Sequence, residues 1–200
     1  GDMGIQLMGG ASSSCGIAFG DSGDSNVGLV TYNHANNSMS IKTNDTVHMT
    51  VSSDGEVTKP LQPCFRVGSG TQNNIAVSSN VNAIFDVEIF DIGNNFGSST
   101  FTAPVTGKYY LGLLMRLNAV DSASSYIQIV IVGSNRSTTV FTFHNATELS
   151  ADADNVTVSG STILDMDAND TAYVRIRIQS GTAQTDVDSD GSYFTGYLIG

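Results

Sequence analysis

The 200-residue chain carries eight Lys and Arg against nineteen Asp and Glu, giving a formal net charge of −11, and 40% of its residues are hydrophobic. This composition excludes a disordered tail, and no run approaches the roughly 20 apolar residues that a spanning helix requires, so we expect no membrane insertion. The basic residues are scattered, and so acidic a chain repels a phosphate backbone, so nucleic acid is not an expected partner.

Short segments rich in Val, Ile, Thr, Phe and Tyr recur along the whole chain, separated by clusters of Gly, Asn, Asp and Ser. No stretch has the 3.6-residue periodicity of an amphipathic helix. Alternation over four to eight residues, bounded by turn-forming residues, is typical of strands. The sequence therefore predicts an all-β fold.

Residues 1–62 contain the segments with the fewest apolar residues. Each of them has only two or three apolar residues that can point inward. They are residues 16–19, 28–32, 38–42 and 47–51. So little apolar surface cannot offset the entropy of ordering about sixty residues in one chain. We therefore expect several chains to wind together here and share one core, as a short intertwined β shaft or neck.

Residues 63–200 contain longer and more apolar segments, and we predict about ten strands. They lie at 65–68, 74–78, 82–90, 98–103, 107–117, 125–133, 138–144, 155–157, 160–165, 171–179 and 192–199. This number of strands with tight turns is typical of a two-sheet sandwich or jelly roll. The nearly continuous apolar run Tyr109–Met115 predicts a central strand that is covered on both sides.

The N-terminal segment resembles one found in bacteriophage tail-fibre and related virion proteins. The residues that carry the resemblance are Ile17–Ser22, Gly28–His34, Asn37–Asn44 and Met49–Val57. In those proteins the segment forms trimeric β-structure close to the fibre tip. The resemblance implies an extracellular virion location, in a tail fibre or surface appendage, with the N-terminus joined to other virion proteins.

The remaining two-thirds resemble the C1q/TNF-like family. The most specific string is Phe101-Thr102-Ala103-Pro104-Val105-Thr106-Gly107-Lys108-Tyr109, and it is accompanied by Phe85–Asp91, Ser161–Asp170 and Ser192–Ile199. Asn169 stands where that family usually has glycine. The resemblance implies a ten-strand jelly-roll head over residues 63–200, a homotrimer with aromatic residues along its three-fold axis, and binding rather than catalysis.

The sequence contains no nucleophile motif of the G-x-S-x-G kind and no phosphate-binding glycine loop, so we do not expect an enzyme. The three histidines form no H-x-x-x-H pair, which argues against zinc. Cys15 and Cys64 fit no metal-ligand spacing; they are read as two free thiols, with one disulfide as the alternative.

One acidic string is a candidate cation site. Asp186, Asp188 and Asp190 precede Gly191 in the order of the first half of an EF-hand loop, but Tyr197 stands where the bidentate Glu belongs. The string is therefore no EF-hand, and two interpretations are open: a solvated acidic loop that needs no cofactor, or a Ca²⁺ site on a jelly-roll loop.

The leading functional hypothesis is a trimeric receptor-binding protein at a virion fibre tip, whose partner is a host cell-surface glycan or outer-membrane protein. The predicted contact loops are 94–98, 145–155 and 182–191. Within them the candidate contact residues are Asn94, Asn95, Asn145, Asp152, Asp154 and Asp188. The alternatives are a phage capsid decoration or structural virion protein, and a bacterial trimeric surface adhesin.

Overall fold

The computed structural model describes residues 4–144 and 149–200, with the backbone alone at residues 139–141, 143 and 144. The chain divides into two compact units, Gly1–Gln62 and Pro63–Gly200. Every regular element in the described ranges is a β-strand, which confirms the all-β prediction. None of the described residues forms a helix long and apolar enough to cross a membrane.

The first unit contains a single antiparallel meander whose five strands pair in chain order. They are β1 (Ser14–Phe19), β2 (Gly28–Asn33), β3 (Ser38–Thr43), β4 (Thr46–Val51) and β5 (Val57–Thr58). The β3–β4 turn has two residues, Asn44 and Asp45, with φ of 47° and 57°. Asn and Asp tolerate this left-handed conformation better than most residues, which is why the chain reverses here.

One face of the meander is apolar, and we call it the meander face. Its residues stand in two cross-strand rows: Cys15, Tyr32, Met39, Val51 and Val57 in one, and Ile17, Val30, Ile41 and Met49 in the other. The opposite face carries Thr31, Ser40 and Thr50 in register. Ile17 and Met39 are 52% and 45% exposed, so the meander face lacks a full cover within its own chain.

The second unit consists of two antiparallel sheets packed around one core. Sheet A has the strand order β14-β11-β16-β6-β8, and sheet B has the order β13-β12-β15-β10-β9 with β7 also paired to β15. The strands are β6 (Cys64–Ser69), β7 (Asn80–Asn82), β8 (Phe85–Ile92), β9 (Phe96–Gly97), β10 (Thr100–Thr102), β11 (Gly107–Asn118), β12 (Tyr126–Gly133), β13 (Ser137–His144), β14 (Val156–Met166), β15 (Thr171–Gln179) and β16 (Asp186–Leu198).

Alternate residues of the two sheets fill the core. On β15 the fully buried positions are Ala172, Val174, Ile176 and Ile178, while the residues between them point to the outer face. Phe65 of sheet A joins the two layers, because its ring centroid lies 4.8 Å from that of Phe101 in sheet B and 5.2 Å from that of Phe194 in sheet A.

The Phe101–Tyr109 string forms the corner between β10 and β11. The buried Tyr109 hydroxyl donates a 2.8 Å hydrogen bond to the Val105 carbonyl across the turn. Ala103 donates its N–H to the Asp170 carbonyl and accepts from the N–H of Asn169, both at 2.8 Å. Asn169 has φ of 74°, a left-handed conformation that glycine adopts freely and Asn tolerates, which explains the substitution noted in the sequence.

The two ends of the second unit differ in what they carry. Cys64 and Tyr110, near the starts of β6 and β11, both pair with Tyr197 near the end of β16, so the chain enters this unit at that end, which we call the proximal end. The opposite, distal end carries the loops that follow β11, precede β14 and precede β16. These loops are residues 119–125, 149–155 and 180–185.

Three strand predictions differ from the structure. Residues 74–78 form no strand; Asn74 and Ser78 have positive φ, and the segment makes only isolated bridges, such as the one between Val77 and Ile178. The two segments predicted at 155–157 and 160–165 are one strand, β14. The last strand begins at Asp186, six residues before the predicted start.

Candidate functional site

The predicted calcium segment lies on β16, not in a free loop. The Asp188 Oδ2 accepts hydrogen bonds from Arg116 Nη2 at 2.7 Å, Arg116 Nε at 3.0 Å and Asn118 Nδ2 at 2.8 Å. The N–H of Asp190, the Asn118 amide and the Arg116 guanidinium together lower the pKa of Asp188. Asp186 accepts the N–H of Asn74 at 2.7 Å.

These contacts give two of the three candidate carboxylates a structural partner. Among the described residues, no three His, Cys, Asp or Glu side chains are grouped as a metal ion requires. Calcium binding by Asp186, Asp188 and Asp190 thus stays a prediction, and a calorimetric calcium titration tests it. The two cysteines are free thiols, each half-buried, and burial is the main cause that raises the pKa of Cys64.

Two of the predicted contact residues lie together at the distal end, where their carboxylates tie neighbouring loops. Asp152 accepts the N–H and hydroxyl of Ser122, both at 2.9 Å, and the Gln184 amide at 2.7 Å. These donors lower the pKa of Asp152, with the Ser122 N–H as the first cause. Asp154 accepts the N–H of Ala119 at 2.8 Å. The distal loops are therefore a connected surface, with carboxylates that hold its backbone in place.

The other predicted contact residues are distributed differently from the expectation of one shared loop cluster. Asn94 and Asn95 connect β8 to β9 at the proximal end, because Ile92 pairs with Cys64. Asn95 donates to the Ile92 carbonyl at 3.0 Å, which closes that turn. Asn145 lies outside the described residues. Asp188 lies on β16, beside Asn118 at the end of β11.

A second candidate surface is the outer face of sheet A, which we call the aromatic face. It is formed by Arg66, Tyr110, Leu114, Ile163, Tyr193 and Tyr197. The rings of Tyr110 and Tyr197 stack at 5.2 Å, and the Arg66 guanidinium carbon lies 4.1 Å from the centroid of the Tyr193 ring. Gly112 makes room for this arrangement, since a Cβ there would stand 3.0 Å from the Tyr110 ring.

The aromatic face is incompletely covered within the single chain. Ile163 and Tyr197 are 59% and 47% exposed, and the neighbouring edge strand β8 exposes Val87 and Ile89. The sequence predicted that the Tyr109–Met115 run is covered on both sides, but the chain covers fully only the side that Tyr109 and Leu111 face. An exposed apolar patch of this kind on a folded domain marks an interaction surface.

Comparison with known proteins identifies the second unit. The family model described as "C1q domain" matches residues 64–199. The chain belongs to the C1q domain family. C1q domains are generally non-enzymatic binding modules, form homotrimers and bind receptors, and they are typically extracellular or secreted.

Two solved structures illustrate what the chain is similar to. The globular domain of zebrafish complement 1qA protein is 17% identical, with a TM-score of 0.50 over 70% of this chain and 98% of that one. A crystal structure of murine APRIL is 12% identical, with a TM-score of 0.48 over 69% of this chain and 99% of that one. No curated protein sequence matches the chain. The jelly-roll head predicted from the sequence is confirmed.

Sequence reasoning anticipated aromatic residues on a three-fold axis but did not assign them. The aromatic face supplies the candidates, and the signal that finds them in the sequence is alternation within β11 and β16. Residues buried in the core alternate with outward residues along these strands, and some of the outward residues, such as Tyr110, Leu114 and Tyr197, are large and carry much apolar surface. Polar residues are the usual choice at outward positions of a sheet that faces water.

Proposed function

We propose that this protein is a homotrimeric, non-enzymatic attachment protein at a virion fibre tip, whose C1q head contacts a receptor on the host surface. The observation that carries the proposal is the exposed aromatic face. Three copies related by a three-fold axis would bury this face, together with Val87 and Ile89 of the adjacent edge strand.

The first unit supports the same stoichiometry independently. The meander face offers two rows of apolar side chains, and the described residues of the first unit form no second sheet to cover them. Since Gln62 is followed directly by Pro63, three joined heads would hold three meanders at high local concentration. We propose that the three meander faces then pack against one another as a short shaft.

The attachment role rests on two observations. Residues 15–58 resemble fibre-tip segments, and the two ends of the head differ in what they carry. The chain enters the head at the proximal end, and the distal loops lie at the opposite end of the head. Loops at such a position can vary without disturbing the core. We propose that the distal loops with Asp152 and Asp154 are among the surfaces that meet the host.

The oligomeric state is the first test. We expect the full chain to sediment as three copies of 21.0 kDa. Ile163→Asp introduces three charges at the interface of the proposed trimer and should shift the head towards dissociation, because a buried unpaired carboxylate is costly. Asn80→Asp is the matched control, since it adds the same charge on the outer face of sheet B, away from the proposed interface. A wild-type monomer, or equal dissociation of both variants, contradicts the proposed trimer.

The attachment role needs a separate measurement. The purified trimer should bind host cells and compete with whole virions for adsorption. A trimer that does neither leaves the oligomeric state intact but removes the attachment role. If electron microscopy locates the protein on a capsid lattice, capsid decoration replaces attachment as its role.

A further inference from the structure

The outer face of sheet B has a charge pattern unlike the rest of this acidic chain. None of the strands of sheet B contains Asp or Glu, and their only charged residues are Arg175 and Arg177 on β15. Both point outward, since Val174, Ile176 and Ile178 between and beside them are fully buried. In a chain with a net charge of −11, this face is a local positive surface.

Amide side chains stand beside both arginines in register. Asn80 of β7 and Gln128 of β12 flank Arg177, and Asn82 of β7 is paired with Arg175. We call this set of five residues the arginine face. Their planar amide and guanidinium groups form a row of hydrogen-bonding groups three strands wide.

Among the residues that the structure describes, neither arginine has an acidic partner. Arg177 donates from Nε to the Tyr126 hydroxyl at 2.8 Å and from Nη2 to the Gln179 carbonyl oxygen Oε1 at 2.9 Å. These bonds fix the guanidinium and leave Nη1 for a further acceptor. The Nε of Arg175 is shielded from solvent and has no hydrogen-bond partner among the described residues.

Three of the six other Lys and Arg residues have a carboxylate partner, and a fourth, Arg66, lies over the Tyr193 ring. Lys42 pairs with Asp45 at 2.7 Å, Lys108 with Asp165 at 3.4 Å, and Arg116 with Asp188 at 2.7 Å. A guanidinium N–H that is shielded from water without an acceptor is costly, unless a ligand supplies the missing acceptor. The carboxylate group matches the guanidinium geometry and accepts two parallel hydrogen bonds.

We propose that the arginine face binds an acidic glycan, with Arg175 and Arg177 on the carboxylates of the sugar units and Asn80, Asn82 and Gln128 on the hydroxyl groups. This inference rests on the proposed attachment function and names its ligand class. A trimer that buries the aromatic face of sheet A leaves this face of sheet B on the outside. A nucleic acid is disfavoured by the overall charge, and the row of amides suits hydroxyl groups better than an acidic peptide.

The test is a calorimetric titration of the full-chain protein with two carboxylated probes, trigalacturonate and trimeric α-2,8-sialic acid. We expect one of them to bind, with affinity that falls as salt is raised, and the uncharged methyl ester of that probe to bind at least about tenfold more weakly. Arg175→Gln and Arg177→Gln should each weaken binding by about tenfold or more. Arg136→Gln is the matched control, because it removes the same charge from an exposed loop outside the face.

Several outcomes would overturn the inference. They are no heat with either probe, equal binding of the methyl ester, equal loss in Arg136→Gln, and equally tight binding of a hexaglutamate peptide. The proposed function is judged separately by sedimentation and host adsorption. A protein that forms trimers and adsorbs to cells equally well as wild type and as Arg175→Gln would refute only the glycan site.

Discussion

Individual polar side chains fix the connections of this fold. Asp152 and Asp188 accept backbone and side-chain donors from neighbouring segments, and the Tyr109 hydroxyl closes the corner before β11. Asp188, one of the three residues of the predicted cation site, thus links β16 to β11 in the single chain, and Asp152 links two of the distal loops. The acidic residues themselves are evident in the sequence, but their hydrogen-bond partners lie 30 to 72 residues away along the chain. Residue spacing therefore does not predict these contacts.

Tyr109 and Tyr110 are adjacent and provide a matched pair. Tyr109→Phe removes the hydrogen bond that the buried hydroxyl donates to the Val105 carbonyl, so we expect a loss of about 1 kcal/mol in the free energy of unfolding. Tyr110→Phe removes a hydroxyl on the aromatic face and should cost less. Chemical denaturation of the two variants, at concentrations where both have the same oligomeric state, measures the difference. Equal losses would show that the Tyr109 hydrogen bond does not stabilise the corner.

At the level of strands, the sequence predicted best where apolar alternation was strong. Strand β15 was predicted with its observed bounds, because β-branched and aromatic residues alternate between buried and outward positions along it. The start of β16 was missed because Asp, Ser and Gly have low strand propensity. Residues 186–188 of β16 pair with residues 116–118 of β11, and this pairing overrides the low strand propensity. For residues 74–78 the sequence predicted a strand that does not form. Ile75 is buried, but positive φ at both ends of the segment prevents a ladder of hydrogen bonds.

The meander gives the element-scale prediction. Ile41→Asp places a charge on the meander face, whereas Ser40→Asp places the same residue on the opposite face of the same strand. If three meanders share a core, Ile41→Asp should speed amide hydrogen exchange throughout β1–β4 by at least about tenfold in the full chain, and Ser40→Asp should not. The head strands serve as an internal reference in both proteins. Similar exchange in the two variants would mean that the meander face is not an interface between copies.

At the scale of the whole molecule, both units have an apolar sheet face that needs a cover. Each leaves one apolar sheet face incompletely covered, and each of those faces comes from strands whose other side is either a packed core or a polar surface. Strand patterns in a single sequence predict that a side is apolar but not which molecule covers it. The nearly continuous apolar run in β11 predicted cover on both sides, and the single chain covers one of those sides fully.

The proposed three-fold assembly would also set the strength of the proposed attachment. One head offers one copy of each candidate contact surface, and a trimer offers three copies at fixed spacing, so a weak single contact becomes firm binding when all three engage. The double variant Ile41→Asp/Ile163→Asp, which disrupts both proposed interfaces, should be monomeric and should adsorb to host cells on the order of 100-fold more weakly. Its intrinsic affinity for a soluble acidic trisaccharide should be unchanged, because the arginine face lies on sheet B. Fluorescence-detected adsorption isotherms and calorimetry measure the two quantities on the same preparations. If the monomer adsorbs as tightly as the wild-type protein, multivalency has no part in attachment and a single head is sufficient.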